Sequence, residues 1–407
     1  MSEWCELKLG SVVLTNANSV DKNYMNKSIL YLDTGSITKG KIEGFQEISL
    51  KDAPSRAKRL VKPNDIVYST VRPIQRHYGI LKNPQSNLVV STGFTVIETN
   101  QKLAEPQFIY YLLSSDESVE FLDVIAEAST STYPSLKPSD IENLDISLPS
   151  LPEQKAIASV LSSLDDKIDL LHRQNITLES MAETLFRQWF VEEAKEDWSF
   201  VVLGEYVNCF NGVSYKSSEL NASKTAMVTL KSFDRNGGFR LDGFKEFTGR
   251  YKEQHIVVQG DLVVAHTDIT QNAEVIGNPI LVVASPSYET IVISMDLVKV
   301  TTKFDWLSNE FLYRMMRTRE FKEHCLGYSN GSTVLHLSKQ AIPSYEFFLP
   351  PKEKIQSFTA NVKDLLGKKF KNIEQIQTLE KLRDTLLPKL MSGEVRVELN
   401  GEYHDAI

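Results

Sequence analysis

Trp4-Cys5-Glu6-Leu7-Lys8-Leu9-Gly10 returns near the middle of the chain as Trp198-Ser199-Phe200-Val201-Val202-Leu203-Gly204, with Trp, Leu and Gly in the same places. Further along the chain, Asp65-Ile66-Val67 returns as Asp261-Leu262-Val263, Phe108-Ile109-Tyr110 as Phe311-Leu312-Tyr313, and Leu148-Pro149 as Leu349-Pro350. These landmarks lie 194, 196, 203 and 201 residues apart, so both order and spacing persist. A period this long marks a tandem duplication of domains rather than a solenoid. Residues 11–60 and 208–255 share no alignable pattern, so one scaffold carries two unlike faces.

At 407 residues the chain can form two or three domains, each with its own core. The N-terminus lacks the charged-then-apolar pattern of a signal peptide, and no apolar run approaches the ~20 residues that span a bilayer. The expectation is a cytoplasmic protein with no membrane partner. Cys5, Cys209 and Cys325 are odd in number, scattered, and form no C-x-x-C pair. They indicate neither a disulfide framework nor a zinc site, and all three are expected to be buried, reduced thiols.

A net charge of −8 argues against nucleic acid if read globally. Within 39–82, however, Lys39, Lys41, Lys51, Arg56, Lys58, Arg59, Lys62, Arg72, Arg76 and Lys82 face only Glu43, Glu47, Asp52 and Asp65. That surplus suits a phosphate-facing patch, and a solvated surface with unpaired charge would look the same.

Each half reads as an α+β domain. Residues 66–71, 94–97, 262–265 and 297–300 are rich in β-branched side chains and predict strands, while 106–122 and 308–323 predict helices. Two much longer helices follow the repeated Leu-Pro landmarks. Ile157, Leu161, Leu164, Ile168, Leu171, Asn175, Leu178, Ala182, Leu185 and Trp189 alternate by four and three, as do Ile355, Phe358, Val362 and Leu365, then Ile376, Leu379, Leu386 and Leu390. Such seams belong to coiled coils. Ser150 with Glu153 fits a capping box, Pro388 should kink the last turn, and Gly393 suits the position after it. Antiparallel pairing of the two helices sets Asn175 opposite Lys369 to Asn372, where buried polar groups would fix register. The alternative is an Asn175 that faces solvent.

No catalytic constellation is found. Gly35-Ser36-Ile37-Thr38-Lys39-Gly40-Lys41-Ile42 nearly matches a phosphate-binding loop but lacks the final hydroxyl and the following helix, so a β-turn is expected. Asn278-Pro279 and Ser285-Pro286 each hold half of the Asn-Pro-Pro-aromatic grip of adenine methyltransferases. The seven histidines show no metal-ligand spacing. Two polar loops, 128–137 and 328–337, precede the last strand of each half, and their short hydroxyl and amide side chains suit phosphates or base edges. Ordinary polar loops would share this composition.

Taken in order, these segments resemble the DNA specificity subunits of type I restriction-modification systems. Lys62-Pro63-Asn64-Asp65-Ile66-Val67-Tyr68-Ser69-Thr70-Val71-Arg72-Pro73 and Gly260-Asp261-Leu262-Val263-Val264-Ala265-His266-Thr267-Asp268-Ile269 are similar to the family's G-D-I-L-x-S-x-x-R segment. Leu148-Pro149-Ser150-Leu151-Pro152-Glu153-Gln154 resembles its L-P-P-L-x-E-Q helix entry, and Leu386-Leu387-Pro388-Lys389-Leu390-Met391-Ser392-Gly393 its C-terminal signature. Asn64 stands where the family has Gly, and Leu349-Pro350-Pro351-Lys352-Glu353-Lys354 lacks the Glu-Gln pair.

The resemblance implies a division into target-recognition domains at 1–150 and 198–350, helical spacers at 151–197 and 351–394, and a tail at 395–407, with pseudo-two-fold symmetry about an antiparallel helix pair. It implies a non-catalytic subunit that recognises an asymmetric, bipartite duplex. Partners would be two methyltransferase subunits, with restriction subunits joining through them. S-adenosylmethionine, ATP and Mg would reside on those partners, with no cofactor or metal on this chain. The DNA-facing candidates are Arg56, Lys58, Arg59, Arg72, Arg76, Ser129, Thr130, Ser131 and Lys137 in the first domain. In the second they are Lys231, Arg235, Arg240, His266, Thr267, Ser329, Asn330, Ser332 and His336. The seam candidates are the residues named above together with Asn372. The alternative is a stand-alone DNA-binding regulator or scaffold.

Overall fold

The computed structural model describes residues 4–129, 134–195, 197–234, 238–269, 273–331 and 334–397. The chain divides into unit 1, Met1–Asp169 with Gln377–Ile407, and unit 2, Leu170–Ile376. Among the described residues the α-helices are α1 (Pro106–Ser114), α2 (Asp116–Glu127), α3 (Pro138–Glu142), α4 (Leu151–Arg187), α5 (Asn309–Met316), α6 (Arg319–Gly327) and α7 (Lys352–Met391). The long helices α4 and α7 are divided between the two units.

Unit 1 is mixed α/β. One sheet runs Gln46–Ser49, Ser28–Leu32, Leu88–Ser91, Ala57–Leu60, and the other Val13–Thr15, Phe94–Thr99, Asp65–Ser69, Tyr78–Leu81. Ser28–Leu32 and Leu88–Ser91 are parallel, and the other neighbours in these two sheets are antiparallel. Cys5–Lys8 pairs with Asp145–Leu148 beside them. Asp65–Ser69 is buried along its whole length, which explains its unbroken β-branched and aromatic run.

Unit 2 repeats the theme. Its larger sheet runs Val207–Asn211, Leu297–Thr302, Leu262–Ala265, Pro279–Leu281, and Thr225–Val228 pairs in parallel with Thr290–Ile293 in a second sheet. Ser199–Val202 pairs with Glu346–Leu349, matching the terminal pair of unit 1.

The turn before each repeated aspartate explains the Asn64 departure. Lys62 N–H donates to Asp65 Oδ2 at 2.7 Å, and Val258 N–H to Asp261 Oδ2 at 3.0 Å. The residue preceding each aspartate is left-handed, φ 68° at Asn64 and 86° at Gly260. Glycine meets that geometry without steric cost, and Asn is the next best tolerated residue.

The helix, strand and cysteine expectations need correction. Residues 106–122 and 308–323 are not single helices; each breaks in two. Ser115 and Thr318 are extended, with ψ 149° and 156°, and their hydroxyls accept the N–H of Ser118 and Phe321 as N-caps of α2 and α6. The strand expected at 66–71 is Asp65–Ser69, because Thr70 and Val71 turn to bond other segments. Cys5 is exposed on its two-stranded edge and Cys209 half-buried, so only Cys325 is a core thiol. The near-phosphate loop is a hairpin, Ile37–Thr38 with Lys41–Ile42, as the turn reading expected.

In each unit α4 and α7 run antiparallel. In unit 2, Phe186 packs on Phe358 with ring centroids 5.8 Å apart, Lys369 Nζ lies 2.7 Å from Glu179 Oε2, and Asn372 Nδ2 donates to Asn175 Oδ1 at 2.9 Å. In unit 1, Ile157 and Leu161 share a core with Leu390, and Arg383 pairs with Asp165. Ile157, Leu161, Ile168, Leu171, Ile355, Phe358, Val362, Asn372 and Ile376 are buried, while Leu164, Asn175, Leu178, Leu185, Leu365, Leu379 and Leu386 are half-buried. Phe186 and Leu366 also enter the core, although the four-three spacing did not name them. α7 continues through Pro388 to Met391, and Gly393 follows with φ 72°.

In each unit a carboxylate of α4 also holds a shorter helix, α1 or α5. In unit 1 the Tyr111 hydroxyl donates to Asp165 Oδ2 at 2.7 Å while Arg383 Nη1 donates to Oδ1 at 2.9 Å. In unit 2 the Tyr313 hydroxyl donates to Glu179 Oε1 at 2.8 Å beside Lys369 and Arg317. Arg314 Nη1 adds an ion pair at 3.0 Å. Burial raises the Glu179 pKa, but Lys369, Arg314 and Arg317 outweigh it and hold the carboxyl at about 2.

The Glu153-Gln154 pair has a structural task in unit 1. Gln154 is almost fully buried; its Oε1 accepts Glu105 N–H at 2.8 Å, and its Nε2 donates to Pro149 O at 2.9 Å. It thereby caps α1, whose own N-cap, Glu105, supplies no side-chain bond. In unit 2 Ser308 caps α5 directly, and Lys354, at the position of Glu153, pairs with Glu193.

Candidate nucleic-acid interface

In unit 1 the chain turns out of the buried strand Asp65–Ser69 at Thr70. Thr70 N–H donates to Gly93 O at 2.8 Å, and Thr70 O accepts Leu136 N–H at 2.7 Å. Val71 bridges Ser135, Thr92 N–H donates to Arg56 O at 2.8 Å, and Ser135 N–H donates to Ser129 Oγ at 3.3 Å. Arg56, Arg72, Ser129 and Lys137 thus arrive from three separate stretches at one rim. Arg56, Arg72 and Lys137 are exposed there. Arg76 is committed: its Nη1 lies 2.7 Å from Asp116 Oδ1, and it lines a cleft of about 720 Å³ with Tyr110, Tyr111 and Asp165. Lys58 and Arg59 sit on the strand Ala57–Leu60, Lys58 exposed and Arg59 half-buried near Ser19.

In unit 2 the equivalent exit builds a small sheet. Thr267–Asp268 pairs with Leu335–Leu337, which pairs with Ser329–Asn330. His266 O accepts Leu337 N–H at 2.8 Å, as Thr70 O accepts that of Leu136. His266, Thr267, Ser329, Asn330 and His336 are therefore brought together, although they come from two stretches some 60 residues apart. Thr267 is 5% exposed and its hydroxyl donates to Asp296 Oδ1 at 3.0 Å, so it supports the sheet rather than facing outward. Burial, then His336 and Lys339, lower the His266 pKa against the pull of Asp296, leaving its imidazole neutral near pH 7. Lys231 and Arg240 lie on two adjoining turns, joined by Arg240 N–H to Ser232 O at 2.8 Å; Arg240 also pairs with Asp242. Thr130, Ser131, Arg235 and Ser332 lie outside the described residues.

Among the described residues, no cluster of His, Cys, Asp and Glu could hold a metal ion, and no helix is long and apolar enough to cross a membrane. The two exits share their backbone bonds and differ in their outward side chains. Residues 1–180 match the family described as "Type I restriction modification DNA specificity domain". The first 180 residues are therefore similar to a type I DNA specificity domain.

Similar proteins extend the match along the chain. The HindI specificity subunit of Haemophilus influenzae is 27% identical, over 97% of this chain and 100% of its own length. The MjaIX specificity subunit of Methanocaldococcus jannaschii is 27% identical over 93% of this chain and 86% of its own. Along nearly its whole length the chain is thus similar to type I specificity subunits. The crystal structure of the S subunit from M. genitalium aligns over 95% of this chain and 96% of that one, at 17% identity and a TM-score of 0.59. That likeness speaks for the fold.

Proposed function

We propose that this chain is the non-catalytic, sequence-reading subunit of a type I system, in which each unit reads one half of an asymmetric bipartite duplex and directs methyltransferase and restriction subunits to it. The observation that carries this reading is the pair of equivalent exits, Thr70 to Leu136 and His266 to Leu337. The same backbone bonds present hydroxyls in one unit and imidazoles in the other, as reading two unlike half-sites requires. The two units would be related by a pseudo-two-fold axis, with two methyltransferase subunits bound. S-adenosylmethionine, ATP and Mg would sit on those partners, leaving this chain without a resident cofactor.

Methylation mapping in cells that express the complete system tests the reading. Replacing 198–350 by the corresponding segment of a relative should change one half-site and leave the other intact. A target that changes in both halves would overturn the division of labour. Sequence-specific binding by the purified chain alone, independent of any methyltransferase, would favour a stand-alone regulator.

A further inference from the structure

Ser329–Asn330 and Leu335–Leu337 form the two arms of an antiparallel ribbon, with Asn330 directly opposite His336. Opposed residues of an antiparallel pair project from the same face, and both of these are exposed. The ribbon is anchored along one edge, where Leu335–Leu337 also pairs with Thr267–Asp268, and on its other face, where Leu337 is 3% exposed. Gly331 follows Asn330 with φ 124°, and a Cβ there would stand 2.0 Å from Val334 O, so the turn is fixed for glycine. The Ser329 hydroxyl is committed to Leu326 O at 2.8 Å. The Asn330 carboxamide has no hydrogen-bond partner among the described residues. Two apolar side chains flank the ribbon in the open, Val334 at 36% exposure and Ile269 at 74%.

We infer that this ribbon reads an A·T pair in the major groove, with the Asn330 carboxamide on adenine and Val334 and Ile269 against a thymine methyl. The inference rests on the reading of unit 2 as a DNA-contacting domain. A two-stranded ribbon fits a groove about 12 Å wide, and a carboxamide matches adenine by accepting from N6 and donating to N7. The thymine methyl is the apolar feature of that groove, which gives exposed aliphatic side chains on a polar surface a partner. In unit 1 the bridge of Val71 to Ser135 puts a short hydroxyl where His336 stands, so the first unit presents a different edge.

The test uses the assembled methyltransferase complex. Mapping with the wild-type chain defines the two half-sites, and Asn330→Ala should then make one A·T position of one half-site degenerate. Affinity for the original target should fall about tenfold, with the other half-site and the salt dependence unchanged. Wild-type complex on duplexes carrying 7-deazaadenine at that position should lose about the same factor. This arm needs no variant, so misfolding cannot imitate it. An unchanged target, relaxation at a G·C pair, or a salt slope reduced by about one with the target intact would overturn the inference, the last marking a phosphate contact. A wild-type complex with no sequence preference would overturn the functional reading itself, and the inference with it.

Discussion

Asn372 Nδ2 donates to Asn175 Oδ1 at 2.9 Å, and Asn372 is completely buried between α4 and α7 in unit 2. An amide pair with one member fully buried on an apolar seam selects one register, because any slip leaves the Asn372 amide facing hydrocarbon. Replacing both with Leu should raise the unfolding midpoint, by the equivalent of about 1 kcal/mol, while loosening the register. Thermal unfolding reads the first effect. Cysteine cross-linking at in-register and one-turn-shifted positions reads the second, and a variant that stays in a single register would contradict the role given to the pair.

Glu179 should be the most sensitive side chain of the unit 2 helix pair. Glu179→Gln leaves Lys369, Arg314 and Arg317 without their carboxylate, and Arg314 is 3% exposed. A loss of about 3 kcal/mol is expected, measured by denaturant unfolding.

The same carboxylate sets a pH dependence. Its folded pKa, about 2, lies below the ordinary glutamate value of 4.5, so its contribution is complete above pH 4.5 and disappears as the pH falls towards 2. Unfolding free energies collected across that window should slope for the wild type, and the slope should be smaller in Glu179→Gln.

Arg72 and Arg76 separate two kinds of charge. Arg72 is exposed with φ 48°, which asparagine tolerates, so Arg72→Asn keeps the turn while removing the cation. It should weaken DNA binding by the complex and lower the salt slope by about one. Arg76→Asn should change the slope less, because Arg76 already pairs with Asp116. Binding isotherms at several salt concentrations decide between them.

The turn before the repeated aspartates gives a local test. A Cβ at Gly260 meets nothing within 4 Å, so Gly260→Ala reports backbone strain alone. A loss of about 1 kcal/mol is expected, and Gly260→Asn should lose less, following the example of Asn64.

The landmarks Trp4, Asp65, Phe108 and Leu148, with their counterparts, sit on equivalent elements because each is tied to a short-range rule: a strand entry, a capped turn, a helix face. The breaks at Ser115 and Thr318 were also legible, since Ser115-Asp116-Glu117 and Thr318-Arg319-Glu320 carry cap signals that the apolar periodicity concealed. The small sheet of unit 2 was not legible, as strands of two or three residues fall below any periodic window. The clamp on Glu179 was hidden for another reason: its partners stand 134 to 190 residues away. For the rim of unit 1, sequence supplied the basic residues, while the backbone bonds selected which of them converge.

The Thr70–Leu136 and His266–Leu337 bonds run between main-chain atoms alone. Nothing in either bond depends on which side chains point outward, so those can be exchanged without dismantling the segment that displays them. Drift at these positions can therefore change the text a protein reads without asking it to learn a new fold.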